Sequence, residues 1–215
     1  MCIICISGKG APQPTESTIR TMFTNNPHGA GYMTARDGKV LIHKGFMTID
    51  DLLRAIAAEH FTSSDVVVYH FRISTQAGVN PYMTQPFPMS PNGRHLKALD
   101  LSCSIGLAHN GIIPMTSDGN KEFSDTALFA AHYLPKLIRR KADLLDPAIL
   151  DLLSVITKSR LALLDGSGTV ATVGSWTTDT ATGLLYSNDS YKPKAATPFR
   201  LDTLPYNYGW RCKNA

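Results

Sequence analysis

Residues 2–7, CIICIS, make an apolar run with no polar alternation, which predicts a strand buried on both faces. The stretch GKGAPQP breaks it. The segment from Thr15 to Asn25 then predicts a short helix, with Thr15 as its cap and Ile19, Met22 and Phe23 on one apolar stripe. GAGYMTARDGKVLIHKG reads as a hairpin turning at Asp37-Gly38. TIDDLLRAIAAEH is an amphipathic helix starting near Thr48 or Asp50, and DVVVYHFRIST is a strongly β-branched strand. From Gln76 to Asp100 the chain is rich in Pro, Asn and Met and has no periodicity, the pattern of a functional loop.

SCSIGLAHNGII resumes as a strand and breaks at Asn110-Gly111, a strong turn signal. Two helices are predicted next, at about 124–141 and 146–158. LALLDGSGTVATVG and SWTTDTATGLLYSND read as hairpins, and residues 190–215, with three prolines after Tyr191, read as a loop-like tail. Hairpins outnumber any βαβ pattern, so the expected class is α+β with largely antiparallel sheets. No repeat, low-complexity tract or linker interrupts the chain, and residues 1–215 are expected to form one domain.

Composition narrows the function classes. The chain is 43% hydrophobic and 18% charged, with a net charge of +4. Its basic residues are scattered. The one tight cluster, Arg139-Arg140-Lys141, falls at a predicted helix end, where positive charge complements the helix dipole. Nucleic acid is therefore not an expected partner. No membrane span is expected, because no apolar stretch approaches the roughly 18 residues one requires, and no signal peptide, because Lys9, Gly10 and Pro12 interrupt the first apolar run. A cytoplasmic location follows as the expectation. There the four cysteines, Cys2, Cys5, Cys103 and Cys212, stay reduced.

Cys2 and Cys5 have the C-x-x-C spacing, but on a strand they point to opposite faces and share neither a metal ion nor a disulfide. The seven histidines show no paired-ligand spacing, so neither a metal nor another cofactor is expected. Cys2 has two readings. It is either an ordinary strand residue or, once Met1 is trimmed, a residue carrying both a thiol and a free α-amine. An α-amine with a pKa of about 7.7–8.0 is partly neutral near pH 7, and the neutral form can take the thiol proton. N-terminal Thr with its own amine works in this way.

Three further stretches carry polar groups that chemistry can use. In VYHFRISTQAG, Arg72 lies two residues beyond His70 at a strand end, suited either to a surface ion pair or to a bidentate grip on a carboxylate. In LAHNGII, Asn110-Gly111 offers an amide side chain beside a backbone N–H, which is either a tight turn or an oxyanion hole. In FSDTALFA, Asp125 falls in the first turn of a helix, as a cap or as the holder of an ammonium group. His70 and His109 flank these positions and are expected to be hydrogen-bonded core residues pointing away from them.

Together these residues resemble the class II glutamine amidotransferase domain of the N-terminal nucleophile hydrolase superfamily. The likeness runs from Cys2 through NNPHGAGYM, HFRISTQAG and AHNGII to SDTALFA, in order and with matching spacing over residues 2–130. The resemblance implies a four-layer αββα sandwich of two mainly antiparallel sheets covered by helices. It also implies glutamine as substrate, with ammonia passed to a separate synthase or amidating enzyme. Carried over, Cys2 attacks the side-chain amide, and the Asn110 side chain with the Gly111 N–H stabilises the oxyanion. Arg72 then holds the substrate carboxylate and Asp125 its ammonium, with Thr75 and Gly78 also contacting substrate.

The chain departs from the family pattern at three places. Ile3 stands where Gly usually follows the nucleophile, Asn26–Gly29 replaces an Arg-Gly pair, and STQAG carries an extra residue. Two other functions fit the same residues: an N-terminal-Cys hydrolase of another linear amide, or a silent interaction module of this fold.

Overall fold

The computed structural model describes residues 1–74, 78–114 and 122–194. Strand β1 (Ile3–Ser7) is buried along its whole length. Helix α1 (Glu16–Asn25) follows, capped by Thr15, whose side chain accepts from the Thr18 N–H. The hairpin of β2 (Ala30–Arg36) and β3 (Lys39–Phe46) turns at Asp37-Gly38 as the sequence predicts. Helix α2 (Ile49–Glu59) starts at a Thr48 cap and leads to β4 (Val67–Phe71).

The Pro- and Asn-rich stretch is more structured than its lack of periodicity suggests. It holds a 3₁₀ turn at Pro81–Met83, the two-residue strand β5 (Phe87–Pro88) and a short helix α3 (Gly93–Lys97). Strands β6 (Asp100–Cys103) and β7 (Ile105–Asn110) follow. The helix expected over 124–141 is instead two, α4 (Asp125–His132) and α5 (Leu134–Leu137), with a separate 3₁₀ turn at Lys141–Leu145. Pro135 explains the break, since it supplies no N–H to continue the helical ladder. Helix α6 (Pro147–Thr157) then precedes β8 (Arg160–Asp165), β9 (Val170–Val173), β10 (Thr177–Thr178) and β11 (Leu185–Tyr186).

The strands form two sheets. One has seven strands in the order β10-β11-β1-β4-β2-β3-β6, the other four in the order β5-β7-β8-β9. Every described pairing is antiparallel. Side-chain alternation along β1 shows how the layers stack. Ile3 and Cys5 pack with Ile19, Met22 and Phe23 of α1 and Leu52 of α2, on the outer face of the larger sheet. Ile4 and Ile6 face the other way, joining Met33, Val40 and Val68 against Ala108, Ala162 and Leu164 of the smaller sheet. The smaller sheet's outer face, with Leu107, Leu161 and Leu163, is covered by Phe129, Leu134 and Leu153 from α4, α5 and α6. The result is the αββα sandwich. Both faces of β1 are covered, which is why its sequence shows no alternation.

Lys44 is one of several ionisable side chains buried in this framework. Lys44 of β3 is 3% exposed, and its Nζ donates to the carbonyls of Tyr82 (2.9 Å) and Leu96 (2.7 Å), 4.0 Å above the Phe87 ring. It therefore ties the irregular segment between β4 and β6 to the larger sheet. Burial lowers its pKa to about 7. An unfolded Lys titrates at about 10.4, so between these values the unfolded chain binds more protons than the folded one, and stability from this group rises with pH. Urea denaturation at about pH 7 and about pH 9.5 should show the native protein gaining stability relative to Lys44→Met over that range, because the opposing titration of the buried cysteines is common to both proteins. An unchanged pH dependence in the variant would contradict the burial of a titrating ammonium.

Candidate active site

Three strand ends meet at one end of the sandwich. In the antiparallel register of β1 with β4, Ile3 pairs with Phe71, so Cys2 comes beside Arg72 and Ile73 just past the ladder. The Cys2 sulfur accepts the Ile73 N–H at 3.3 Å. Its carbonyl accepts from Asn188 Nδ2 at 2.7 Å. Burial pushes the Cys2 thiol up, against the pull of the Ile73 N–H and the nearby Arg72 guanidinium. A thiol so placed needs a base close by to become a thiolate. Met1 is 72% exposed and sits at the mouth of the same cavity.

That cavity has a volume of about 320 Å³, and Cys2, Arg72, Asn110, Gly111 and Asp125 all line it. Five of the residues singled out in the sequence are thus brought together. Gly78 does not line it. Instead its carbonyl accepts from Arg72 Nη1 at 2.7 Å and from Ser74 Oγ at 2.7 Å, so it braces the guanidinium. Thr75 lies outside the described residues, as does Cys212.

Arg72 is 4% exposed yet charged, and it is fixed through its backbone as well. Its N–H donates to Gly29 O, and its carbonyl accepts from the His28 N–H. His28 Nδ1 in turn accepts from the Ser74 N–H at 2.8 Å. The segment NNPHGAG is therefore a brace for the end of β4. Gly31 within it has no alternative, since a Cβ there would lie 2.4 Å from the Gln85 carbonyl oxygen.

Asp125 is the first residue of α4, not its cap. Ser124 caps the helix by accepting from Ala127 N–H. The Asp125 carboxylate accepts from the N–H groups of Ile113 and Thr126, each at 2.7 Å. An ionised carboxylate has about four acceptor sites, so it retains capacity for a cationic group. Arg72 interacts electrostatically with both Asp125 and Cys2, which places one positive and one negative side chain around the thiol.

Gly111 closes the turn after β7 with φ 155°, and a Cβ there would lie 2.4 Å from Ser159 Cβ. Neither the backbone nor the space admits a side chain. Asn110 is fully buried, with its carboxamide against Ser187 Oγ at 2.9 Å.

The two histidines are core residues, but His109 is not turned away from the site. Its ring lies 2.8 Å from both Thr126 Oγ1 and Ser159 Oγ, and it lines the cavity. His70 Nε2 donates to the His109 carbonyl at 3.1 Å. Burial lowers the pKa of His70 to about 3 and that of His109 to about 4, so both are neutral near pH 7. Neutral rings add no charge to that of Arg72 and Asp125.

Sequence reading missed Gln85 in the cavity wall and two residues that brace the site from behind, Ser187 and Asn188. Gln85 binds the His109 N–H through Oε1 at 2.7 Å. Ser187 and Asn188 reach Ile4 and Cys2 from the far side. None of them carries a local signal, because each matters only through a contact distant in the chain. Among the described residues no three His, Cys, Asp or Glu side chains come together as a metal site, and no helix is long and apolar enough to cross a membrane.

No known family model matches the chain, and no curated protein matches its sequence. Solved structures do. A glutamine phosphoribosylpyrophosphate amidotransferase from B. subtilis, in complex with ADP and GMP, superposes with a TM-score of 0.50 at 21% identity, over 87% of this chain. A second structure, described as the allosteric regulatory enzyme of purine biosynthesis, gives 0.50 and 20% over the same share. The chain spans 42% of the length of each. What it shares with them is the fold, an αββα sandwich of two antiparallel sheets covered by helices.

Proposed function

We propose that this chain is a glutamine amidotransferase-type hydrolase that releases ammonia from the glutamine side chain for use by a separate synthase or amidating enzyme. The observation that carries the reading is the single cavity lined by Cys2, the Asn110-Gly111 turn, Arg72 and Asp125. Glutamine is a zwitterion with an amide at its far end, and these residues offer one group for each part. The fold shared with a glutamine-using amidotransferase supports the same substrate.

The reaction needs Met1 removed, and the exposure of Met1 leaves it open to an aminopeptidase. The freed Cys2 amine then takes the thiol proton, which offsets the burial that disfavours the thiolate. The thiolate attacks the side-chain carbonyl carbon, and the Asn110 carboxamide and Gly111 N–H donate to the oxygen as it gains charge. Collapse of the tetrahedral species passes the proton to the leaving nitrogen, and ammonia departs. Water attacks the remaining thioester, releasing glutamate and restoring the thiol. Arg72 and Asp125 hold the amino-acid end, away from the scissile bond.

Ammonia release from glutamine and from N-acetylglutamine tests this reading. The native protein, with Met1 removed, should prefer glutamine strongly, because the acetyl group abolishes the ammonium that Asp125 holds. Arg72→Ala and Asp125→Ala should each weaken glutamine binding by about 1.5–3 kcal/mol. Asp125→Ala should also lose most of the discrimination against the acetylated substrate. A native preference for N-acylated substrates would assign the site to another linear amide. No turnover of either, with the amine free, would leave an interaction module as the better account.

A further inference from the structure

The carboxamide of Asn110 is fully buried, and its two ends have different surroundings. One end meets Ser187 Oγ at 2.9 Å. The other, placed as Oδ1, has no hydrogen-bond partner among the described residues. Ser187 Oγ also accepts the Ile4 N–H, at 2.8 Å. A hydroxyl has one proton to give and two lone pairs. With Asn110 Nδ2 as the donor, Ser187 would receive two donors, and its own proton would go to neither neighbour. The Asn110 carbonyl oxygen would be left buried without a donor.

Turning the carboxamide by 180° gives the Ser187 proton an acceptor and the Asn110 oxygen a donor, and leaves the amide nitrogen as the buried group without a partner. Ser187 then accepts from Ile4 and donates to Asn110 Oδ1, and the nitrogen moves to the unpartnered end. The two ends of an amide are told apart by their hydrogen bonds: both forms make two bonds at Ser187, but the turned form pairs the hydroxyl proton and the amide oxygen and leaves only the nitrogen unmet. We propose that Ser187 is a positioning residue, which holds the Asn110 carboxamide by its oxygen and so presents the Nδ2 donor to the Cys2 cavity. The proposal rests on the oxyanion role given to Asn110 above. It adds a cause for that role. A buried amide donor with no protein acceptor is a donor kept for a negative oxygen that arrives with the reaction.

The arrangement also links the donor to the nucleophile. The Ser187 N–H donates to the Ile4 carbonyl at 3.0 Å while its side chain takes the Ile4 N–H. Asn188, the next residue, holds the Cys2 carbonyl. One dipeptide therefore sets β1, the residue that starts it and the carboxamide across from it on β7.

Two measurements test the proposal. A neutron crystal structure of the native protein reads the hydrogen positions directly and does not depend on turnover. It should show the Ser187 hydroxyl deuteron directed at Asn110. Amide deuterons directed at Ser187 would overturn the proposal, whatever the substrate proves to be. The kinetic arm uses Ser187→Ala. Its kcat for glutamine should fall by about 10- to 100-fold with KM little changed, less than the about 10²–10³ expected for Asn110→Ala. In an Asn110→Ala background the Ser187 change should cost nothing further in kcat, since the group it positions is gone. The rate at which iodoacetamide alkylates Cys2 should match the native rate, because that reaction needs no oxyanion donor. Equal kcat in native and variant, or full additivity with Asn110→Ala, would make Ser187 a structural residue only. A neutron result as expected with no glutamine hydrolysis would retain the orientation and reject the proposed reaction.

Discussion

The burial of β1 on both faces is the constraint on which the site depends. A strand covered by helices on one side and a second sheet on the other cannot slide or tilt without exposing Ile3 and Cys5 or Ile4 and Ile6. A one-residue slip would exchange the two sets between faces. Cys2 is the residue just before this locked segment, so its position is fixed by packing that begins one residue later. The pairing with β4 sets Arg72 and Ile73 beside it, and the Ser187-Asn188 contacts hold it from the opposite edge.

The same packing shapes the electrostatics. Enclosed by two sheets, the ends of β4 and β7 hold two histidines that stay neutral, and a guanidinium and a carboxylate that are each tied to backbone groups. Charges inside such a wall act through a lower effective dielectric than at the surface, so the pair can orient a zwitterion more strongly than exposed side chains would. In the proposed reaction, orientation of this kind would let one small cavity separate the end that is held from the end that reacts.

Much of this was legible in the residues. Double burial shows as the unbroken apolar run of β1, the hairpin as Asp37-Gly38, and the helix starts as Thr15 and Thr48. Cys2, Arg72, Asn110, Gly111 and Asp125 could be singled out because each combines a chemical capacity with a strand end, a turn or a helix start. The misses have physical causes. Lys44 anchors the irregular segment through contacts to Tyr82 and Leu96, which no periodicity can report. Pro135 sits within an otherwise helical pattern and divides it. Gly78 supports Arg72 through its carbonyl, a role that any residue's backbone can play and that composition cannot reveal. Ser187 and Asn188 stand at the end of a two-residue strand and reach positions more than 180 residues away.

The proposed reaction makes Cys2, with its amine free, the nucleophile. Mass spectrometry tests it most directly. Intact mass first establishes loss of Met1, and the protein is then incubated with an electrophilic analogue of glutamine, digested and mapped. One adduct per chain is expected, on Cys2, blocked by excess glutamine. Labelling of Cys5, Cys103 or Cys212 instead, or a Cys2 that stays unmodified with its amine free, would contradict it.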